Sequence, residues 1–595
     1  MTTYTAPLRD MRFVLHELLE VERLAELPGY EEASPDLIDA VLEEGARLAS
    51  NVLFPLNRSG DEEGCAFENG VVRTPKGFKE AYEQFAQGGW IGLAADPAFG
   101  GQGLPAVVKV VVDEMVCSAN LSFGTYPGLS GGAYKAIEHH ADDSLRALYL
   151  PRLVDGRWSG TMCLTEPQCG TDLGLIRTRA EPEDDGSYRV TGTKIFISAG
   201  EHDLAENIVH LVLARLPDAP AGIKGISLFL VPKFLPRDGV PGPRNGVRCG
   251  GLEHKMGIKA SATCVMNFDG ATGWLVGEPH RGMRAMFTMM NEARLEVGVQ
   301  GLGIAETAYQ SAVAYARERL QGRALSGAAQ PDQPADPILV HPDVRRMLLT
   351  MRAFSEGARA LACWIGQSID RAGRHPEPEV RKSAEDLVAL MTPVIKAYFT
   401  DQGSACANLG VQVMGGHGYI REWGMEQLVR DARITQLYEG ANGIQALDLV
   451  GRKLPAHFGR YLRSFFHPVM AFVEQHQAQP KLAEFVLPLA KAFARLQQIT
   501  LHVAQQGMRD PDEAGAASCD YLRLFALVAM AYVWARMAEI ARTRLAEGAQ
   551  DAAFYRAKLD TARFFMTKML PESGALFAQL MAGSAPLMRF EDAAF

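Results

Sequence analysis

Several short segments of this 595-residue chain combine residue types that can bind and work on a small molecule. Thr161-Met162-Cys163-Leu164-Thr165-Glu166-Pro167-Gln168-Cys169-Gly170-Thr171-Asp172 gathers hydroxyls, a glycine and backbone N–H donors in one polar turn. Such donors suit a planar heteroaromatic ring and a phosphate, although the same residues also read as a polar turn opening a strand. Farther on, Phe196-Ile197-Ser198 offers an aromatic face and a hydroxyl, which is what stacking on such a ring and hydrogen-bonding its edge require. Gln412-Val413-Met414-Gly415-Gly416 ends in two glycines that admit close backbone approach to a ligand. In Tyr438-Glu439-Gly440-Ala441-Asn442 a carboxylate sits in a partly apolar turn just before a helix start. Desolvation there would raise its pKa, as a general base requires; the other reading is a helix N-terminal Glu stabilised by the macrodipole.

Other patterns fall away. Gly128-Leu129-Ser130-Gly131-Gly132 matches the Gly-x-Ser-x-Gly nucleophile elbow, but residues 123–127 before it read as a loop and not as a buried strand. His139 and His140 are adjacent, and neighbouring side chains on a helix point apart, so a solvated helix end is expected. No Gly-x-Gly-x-x-Gly opens a helix after a strand, and there is no Walker loop.

The elements around these segments have three textures. Residues 36–160 read as mainly helical, with 3.6-type apolar spacing in 37–54 and 77–87. Residues 161–280 read as strands: 187–198 after an Asp185-Gly186 turn, then 207–216, 225–232 and 263–268. Adjacent strands without intervening helices predict a barrel or sandwich. Residues 281–454 predict a bundle of long helices at about 283–320, 343–373, 378–408 and 443–475, and 455–595 a further helical domain broken by a loop at 507–515. Residues 1–35 form an N-terminal helical extension.

The net charge of −10, without blocks of like charge, argues against nucleic acid. No apolar h-region or cleavage site follows Met1, and the nine cysteines form no Cys-x-x-Cys, so a reduced, cytoplasmic protein is expected. The apolar run 524–535 is short of the ~20 residues that span a bilayer. It reads as a buried helix, with a membrane-surface patch as the alternative.

Taken together, the segments resemble the acyl-CoA dehydrogenase family, flavoenzymes that desaturate acyl thioesters. The resemblance runs over roughly 36–455. It includes Gly89-Trp90-Ile91-Gly92, Gly100-Gly101 and Gly103, Thr165-Glu166-Pro167, Gly170-Thr171-Asp172, Lys194-Ile195-Phe196-Ile197-Ser198, Met256-Gly257-Ile258-Lys259-Ala260-Ser261, Gly415-Gly416 and Tyr438-Glu439-Gly440. It implies a mainly α fold with a central β-barrel: a helical domain, the barrel and a four-helix bundle. The C-terminal addition resembles that of a larger subgroup including 3-(methylthio)propanoyl-CoA and bacterial fatty-acyl-CoA dehydrogenases.

What the resemblance implies can be placed residue by residue. The cofactor is FAD. Residues 162–171, with Met162, Leu164, Thr165, Gly170 and Thr171, match the loop lining its ring, Thr171 also nearing the acyl-CoA. Phe196, Ile197 and Ser198 match the residues over the ring face and edge, Phe196 standing where the family usually has Trp. Arg319 and the strip with Gln412, Gly415 and Gly416 match residues that reach the flavin of a neighbouring subunit, and Asn442 is placed with them. Beyond Arg319 the family's Thr-Phe-Gly becomes Leu320-Gln321-Gly322, followed by an insertion up to His341. Glu439 matches the catalytic base. Some members carry the base directly before an Arg of the bundle helix, but Ala293 precedes Arg294 here, so that alternative is vacant. Asn291, Arg294, Thr171 and Gly440 match the substrate side. The expected reaction is desaturation of a medium- or long-chain acyl-CoA in fatty acid β-oxidation, with electron-transfer flavoprotein as acceptor and a homodimer as assembly. The alternatives are a 3-(methylthio)propanoyl-CoA dehydrogenase and an acyl-CoA oxidase using oxygen. No metal is expected.

Overall fold

Between residues 158 and 276 the strands close on themselves. In the computed structural model, which describes residues 2–595, β1 (Ala66–Glu68) and β2 (Val71–Arg73) form a small hairpin. β3 (Trp158–Cys163) pairs in parallel with β6 (Asn207–Arg215). β6 then runs antiparallel to β7 (Ile226–Pro232), β7 to β11 (Thr263–Val276), β11 to β5 (Tyr188–Ser198), and β5 to β4 (Arg179–Pro182). β4 meets β6 again at Arg179 and Arg215, which completes a ring. β8 (Phe234–Arg237) and β9 (Val240–Arg244) form a hairpin, and β10 (Val247–Leu252) adds to β11. The ring is filled by Val190, Ile197, Val212, Phe229, Val231, Met266 and Phe268. The other face of β3 and β6, with Trp158, Met162, Val209 and Leu211, packs on Ala133 and Ile137 and on Met286 and Met289. β11 runs past the segment 263–268 expected from the sequence. Gly270, at φ +60°, forms a bulge that shifts register between Phe268 and Ala271 while the strand continues.

The chain divides into two compact units: Gly45–Leu104 with Met115–Glu296, which holds the barrel, and Met1–Glu44 with Pro105–Glu114 and Val297–Phe595, which is helical. The long helix Gly282–Glu318 contributes its first half to the former and its second to the latter. Within the helical unit it packs backbone to backbone against the helix Pro378–Met414: a Cβ on Gly301 would lie 2.4 Å from the Phe399 carbonyl, and one on Gly403 2.4 Å from that of Gly301.

Sequence and structure part in two further places. Residues 123–127, expected as a loop, lie inside the helix Leu121–His140, whose first turn is capped by Asn120 accepting from the Phe123 N–H at 3.0 Å. Burial on the barrel overrides the low helix propensity of its glycines and Pro127. The loop expected at 507–515 shrinks to Asp510, which separates the helices Ala483–Arg509 and Pro511–Ala546. Asp510 accepts from the Asp512 N–H at 3.0 Å and Pro511 takes the first helical position, so one residue ends one helix and starts the next. That second helix is long and apolar enough to cross a membrane by length and composition, and its residues 524–535 are all buried within the helical unit, in line with the buried-helix reading.

A charged network ties the helical unit together. Arg359, 1% exposed, holds Glu114 at 3.0 Å, Glu306 at 2.8 Å, and Asp10. Lys558 of the C-terminal addition, also fully buried, pairs with Asp10 and with Glu356 at 2.7 Å. Lys558→Met strands buried carboxylates without their counter-charge. It should lower unfolding free energy by about 3–5 kcal/mol in urea titration, with no loss of secondary structure by circular dichroism.

Candidate active site

The polar turn after β3 is fixed by one carboxylate. Glu166 accepts from the Arg177 N–H at 2.7 Å, the Thr178 N–H at 3.1 Å, the Thr178 hydroxyl at 2.6 Å and the Gln168 amide at 2.6 Å. Lys194, on an inward position of β5, donates to the Leu164 carbonyl at 3.0 Å and to Glu166 at 2.8 Å. Burial by itself would raise the Glu166 carboxyl; the Lys194 charge and the converging donors outweigh it and hold Glu166 at about 2. Desolvation brings Lys194 below the ordinary lysine value.

This clamp sets the rim of the barrel. The Ile195 N–H donates to the Thr165 carbonyl at 2.9 Å, joining the turn to the end of β5. There Phe196 takes φ +58° and stands 59% exposed. A left-handed backbone costs a non-glycine residue roughly 1–2 kcal/mol, and such strain concentrates at functional positions. Thr165, Ser198 and Leu164 are half-buried, Gly170 and Thr171 are exposed, and a Cβ on Gly170 would meet only Thr165, at 3.6 Å. Thr165, Gly170, Phe196 and Ser198 thus share one rim. Met162 and Ile197 point their side chains into the two apolar clusters on either side of the sheet. On the helix Gly282–Glu318, Asn291 is exposed, whereas Arg294 is buried with its guanidinium 5.8 Å from the centre of the Phe287 ring.

In the helical unit Glu439 precedes the helix Asn442–Asp448 and lies outside it, so the helix-cap reading does not apply. Glu439 has φ +56° and Gly440 φ +86°, and both are half-buried. The Tyr438 hydroxyl donates to Gln300, and the Gln445 amide donates to the Glu439 and Gly440 carbonyls, both at 3.1 Å. Asn442, expected beside the cofactor, directs its amide inward instead, donating to Thr400 Oγ1 at 2.9 Å and Asp401 Oδ1 at 2.7 Å. Gln412, Gly415 and Gly416 are exposed at the end of their helix, and Gly415, at φ +59°, has open space where a Cβ would stand. Arg319 is exposed at the same end of the bundle, where the Tyr315 hydroxyl meets His417 Nδ1 at 2.9 Å. The insertion after it folds around Asp336, which accepts from the N–H groups of Ala324, Ala329 and Gln330. Ser130 is buried and bonded to the Tyr126 carbonyl and Gly160 N–H, which leaves it no role as a nucleophile. No cluster of metal-ligating side chains occurs among the described residues.

The sequence also matches four family models in succession: acyl-CoA dehydrogenase N-terminal domain over 41–157, middle domain over 161–271 and C-terminal domain over 280–454, then "acetyl-CoA dehydrogenase C-terminal like" over 465–591. The chain belongs to the acyl-CoA dehydrogenase family. It is 46% identical to a 3-methylmercaptopropionyl-CoA dehydrogenase of Ruegeria pomeroyi, over 96% of this chain and 97% of the relative. It is 33% identical to a butyryl-CoA dehydrogenase of Syntrophomonas wolfei, over 99% of each. The fold is that of the acyl-CoA dehydrogenase of Bacillus anthracis solved with FAD, with a TM-score of 0.74, 21% identity, and 93% and 89% of the two chains covered.

Sequence reasoning assigned no role to the anchors of this dehydrogenase's site: Glu166, Lys194, Lys396, Gln445 and Gln300. Lys194 carries a signal in hindsight, since it falls on the inward phase of β5 shared with Val190. Lys194→Met should expose the turn 164–177 to limited proteolysis and lower the melting temperature of the strand-rich unit. The wild-type carboxyl, at about 2 against an ordinary 4.5, contributes stability that is full above pH 4.5 and lost as pH falls toward 2. Cleavage of the wild-type turn should therefore stay slow from about pH 8 to 5 and rise only below that.

Proposed function

We propose that this dehydrogenase desaturates 3-(methylthio)propanoyl-CoA, or an unbranched acyl-CoA of similar length, with FAD as its cofactor and Glu439 as its base. The observation that carries the base is the left-handed Glu439, anchored through its own and the following carbonyl, in a chain whose other base position is Ala293. The rim of the barrel fits FAD: an exposed, strained Phe196 for the ring face, Thr165 and Ser198 hydroxyls for its edge, and open glycine backbone at Gly170. The substrate reading rests on the relatives, named for 3-methylmercaptopropionyl-CoA and butyryl-CoA, and it displaces the expectation of a medium- or long-chain substrate.

Bound FAD supplies the hydride acceptor for the β-carbon. Glu439 takes the proton from the α-carbon of the thioester. That proton is weakly acidic, so the negative charge developing on the thioester oxygen needs a fixed donor, and the backbone N–H of Glu439 provides one. Arg319, Gln412, Gly415 and Gly416 are exposed at one end of the bundle, as a homodimer sharing each flavin between chains requires. Electron-transfer flavoprotein would then reoxidise the enzyme.

Glu439→Gln should keep its flavin and lose roughly 100- to 10,000-fold in the rate of anaerobic flavin bleaching; bleaching at the wild-type rate would remove Glu439 from the reaction. In a series of acyl-CoAs from butanoyl to octadecanoyl with 3-(methylthio)propanoyl included, the short members should exceed dodecanoyl-CoA in kcat/KM by about tenfold or more. A maximum at dodecanoyl or beyond would overturn the substrate reading.

A further inference from the structure

Lys396 lies in the middle of the helix Pro378–Met414, between buried Ile395 and Ala397, and is 0% exposed. An ammonium in such surroundings carries a desolvation cost that a methionine of similar length would not. Its donors go to the loop bearing the base: the Gly440 carbonyl at 2.9 Å and Asn442 Oδ1 at 2.9 Å. Asn442 is in turn tied back to the same helix through the Ala397 carbonyl at 3.1 Å, Thr400 Oγ1 and Asp401 Oδ1. These two attachments bracket Ala441 and directly follow Glu439, which is held at φ +56°.

Hydrogen-bond satisfaction alone does not account for the lysine, because the Gln445 amide already donates to the Gly440 carbonyl. A second, charged donor on that oxygen adds rigidity, since charge-assisted bonds are shorter and roughly twice as strong as neutral ones. With the Glu439 and Gly440 carbonyls both drawn inward, the trans peptides turn the N–H groups of Gly440 and Ala441 to the opposite side. Released from these bonds, the backbone at Glu439 would relax from its left-handed state, and the carboxylate would move with it.

We propose that Lys396 is a positioning residue for the base: through the Gly440 carbonyl and Asn442 it holds Glu439 in the one backbone state from which its carboxylate takes the α-proton. The inference rests on Glu439 being that base.

The test uses the full-length, FAD-loaded enzyme and butanoyl-CoA, unlabelled or dideuterated at the α-carbon, with flavin reduction followed by stopped flow. Lys396→Met should retain its flavin and leave KM nearly unchanged. Its reduction rate should fall about 100-fold, the effect of a ~1 Å misplacement of a reacting group, and the α-deuterium isotope effect should rise as proton removal becomes the slower event. Lys396→Arg should recover part of the rate. If Lys396→Met does not fold, Asn442→Ala removes the second attachment with Lys396 in place, and should give a smaller loss with the same rise in isotope effect. Reduction at the wild-type rate, or a loss with an unchanged isotope effect, overturns the inference. Glu439→Gln in the same series separates the two readings: inactive Glu439→Gln beside a normal Lys396→Met defeats only the positioning role, whereas an active Glu439→Gln defeats both.

Discussion

The helical unit depends on the Arg359 guanidinium. It is buried at the meeting point of five stretches of chain: the N-terminal segment through Asp10, residues 105–114 through Glu114, the long bundle helix through Glu306, its own helix, and the C-terminal addition through Lys558 and Asp10. A buried ion network of this kind contributes little net stability compared with apolar packing of the same volume. What it imposes is uniqueness, because separating any one stretch leaves a charge in the interior without compensation. The C-terminal addition is thereby made part of the unit that carries Glu439.

The two turns that carry the candidate site residues, one in each unit, are built by one device. In the barrel, Glu166 and Lys194 fix the polar turn, and beside it Phe196 stands in a left-handed, exposed conformation. In the bundle, Lys396 and Asn442 fix the turn that carries Glu439 in the same kind of conformation. In each case a buried, charge-assisted anchor holds a neighbouring residue in a state that an isolated peptide would rarely visit. Such preorganisation is arranged during folding and requires no rearrangement when a ligand arrives.

The three textures were legible because their patterns differ: alternation in 188–198, a short continuous buried run in 207–215, and 3.6-residue spacing in the long helices. The failures share a cause. Residues 123–127, with one glycine and a proline, fold as helix because Phe123 packs on Phe78 and Phe85 and the Tyr126 hydroxyl donates to the Ala260 carbonyl, which buries that face. β11 runs past 263–268 because it has partners along its whole length. The apolar run 524–535, by contrast, is a buried helix as its composition implies, within a helix of 36 residues. Local propensity is worth a few tenths of a kcal/mol per residue, and tertiary burial exceeds it.

Residue identity and order alone point to the family and to the three-part core with its helical addition, and they single out Glu439 as the candidate base, because Tyr438-Glu439-Gly440 is present and Ala293 occupies the other position. The tertiary structure decides what holds those residues in place. Lys194 and Glu166 are separated by 28 positions, Lys396 and Gly440 by 44, and Arg359 and Asp10 by 349. Separations of that length leave no periodicity in a single chain, and only burial reveals that each charge has one place to go.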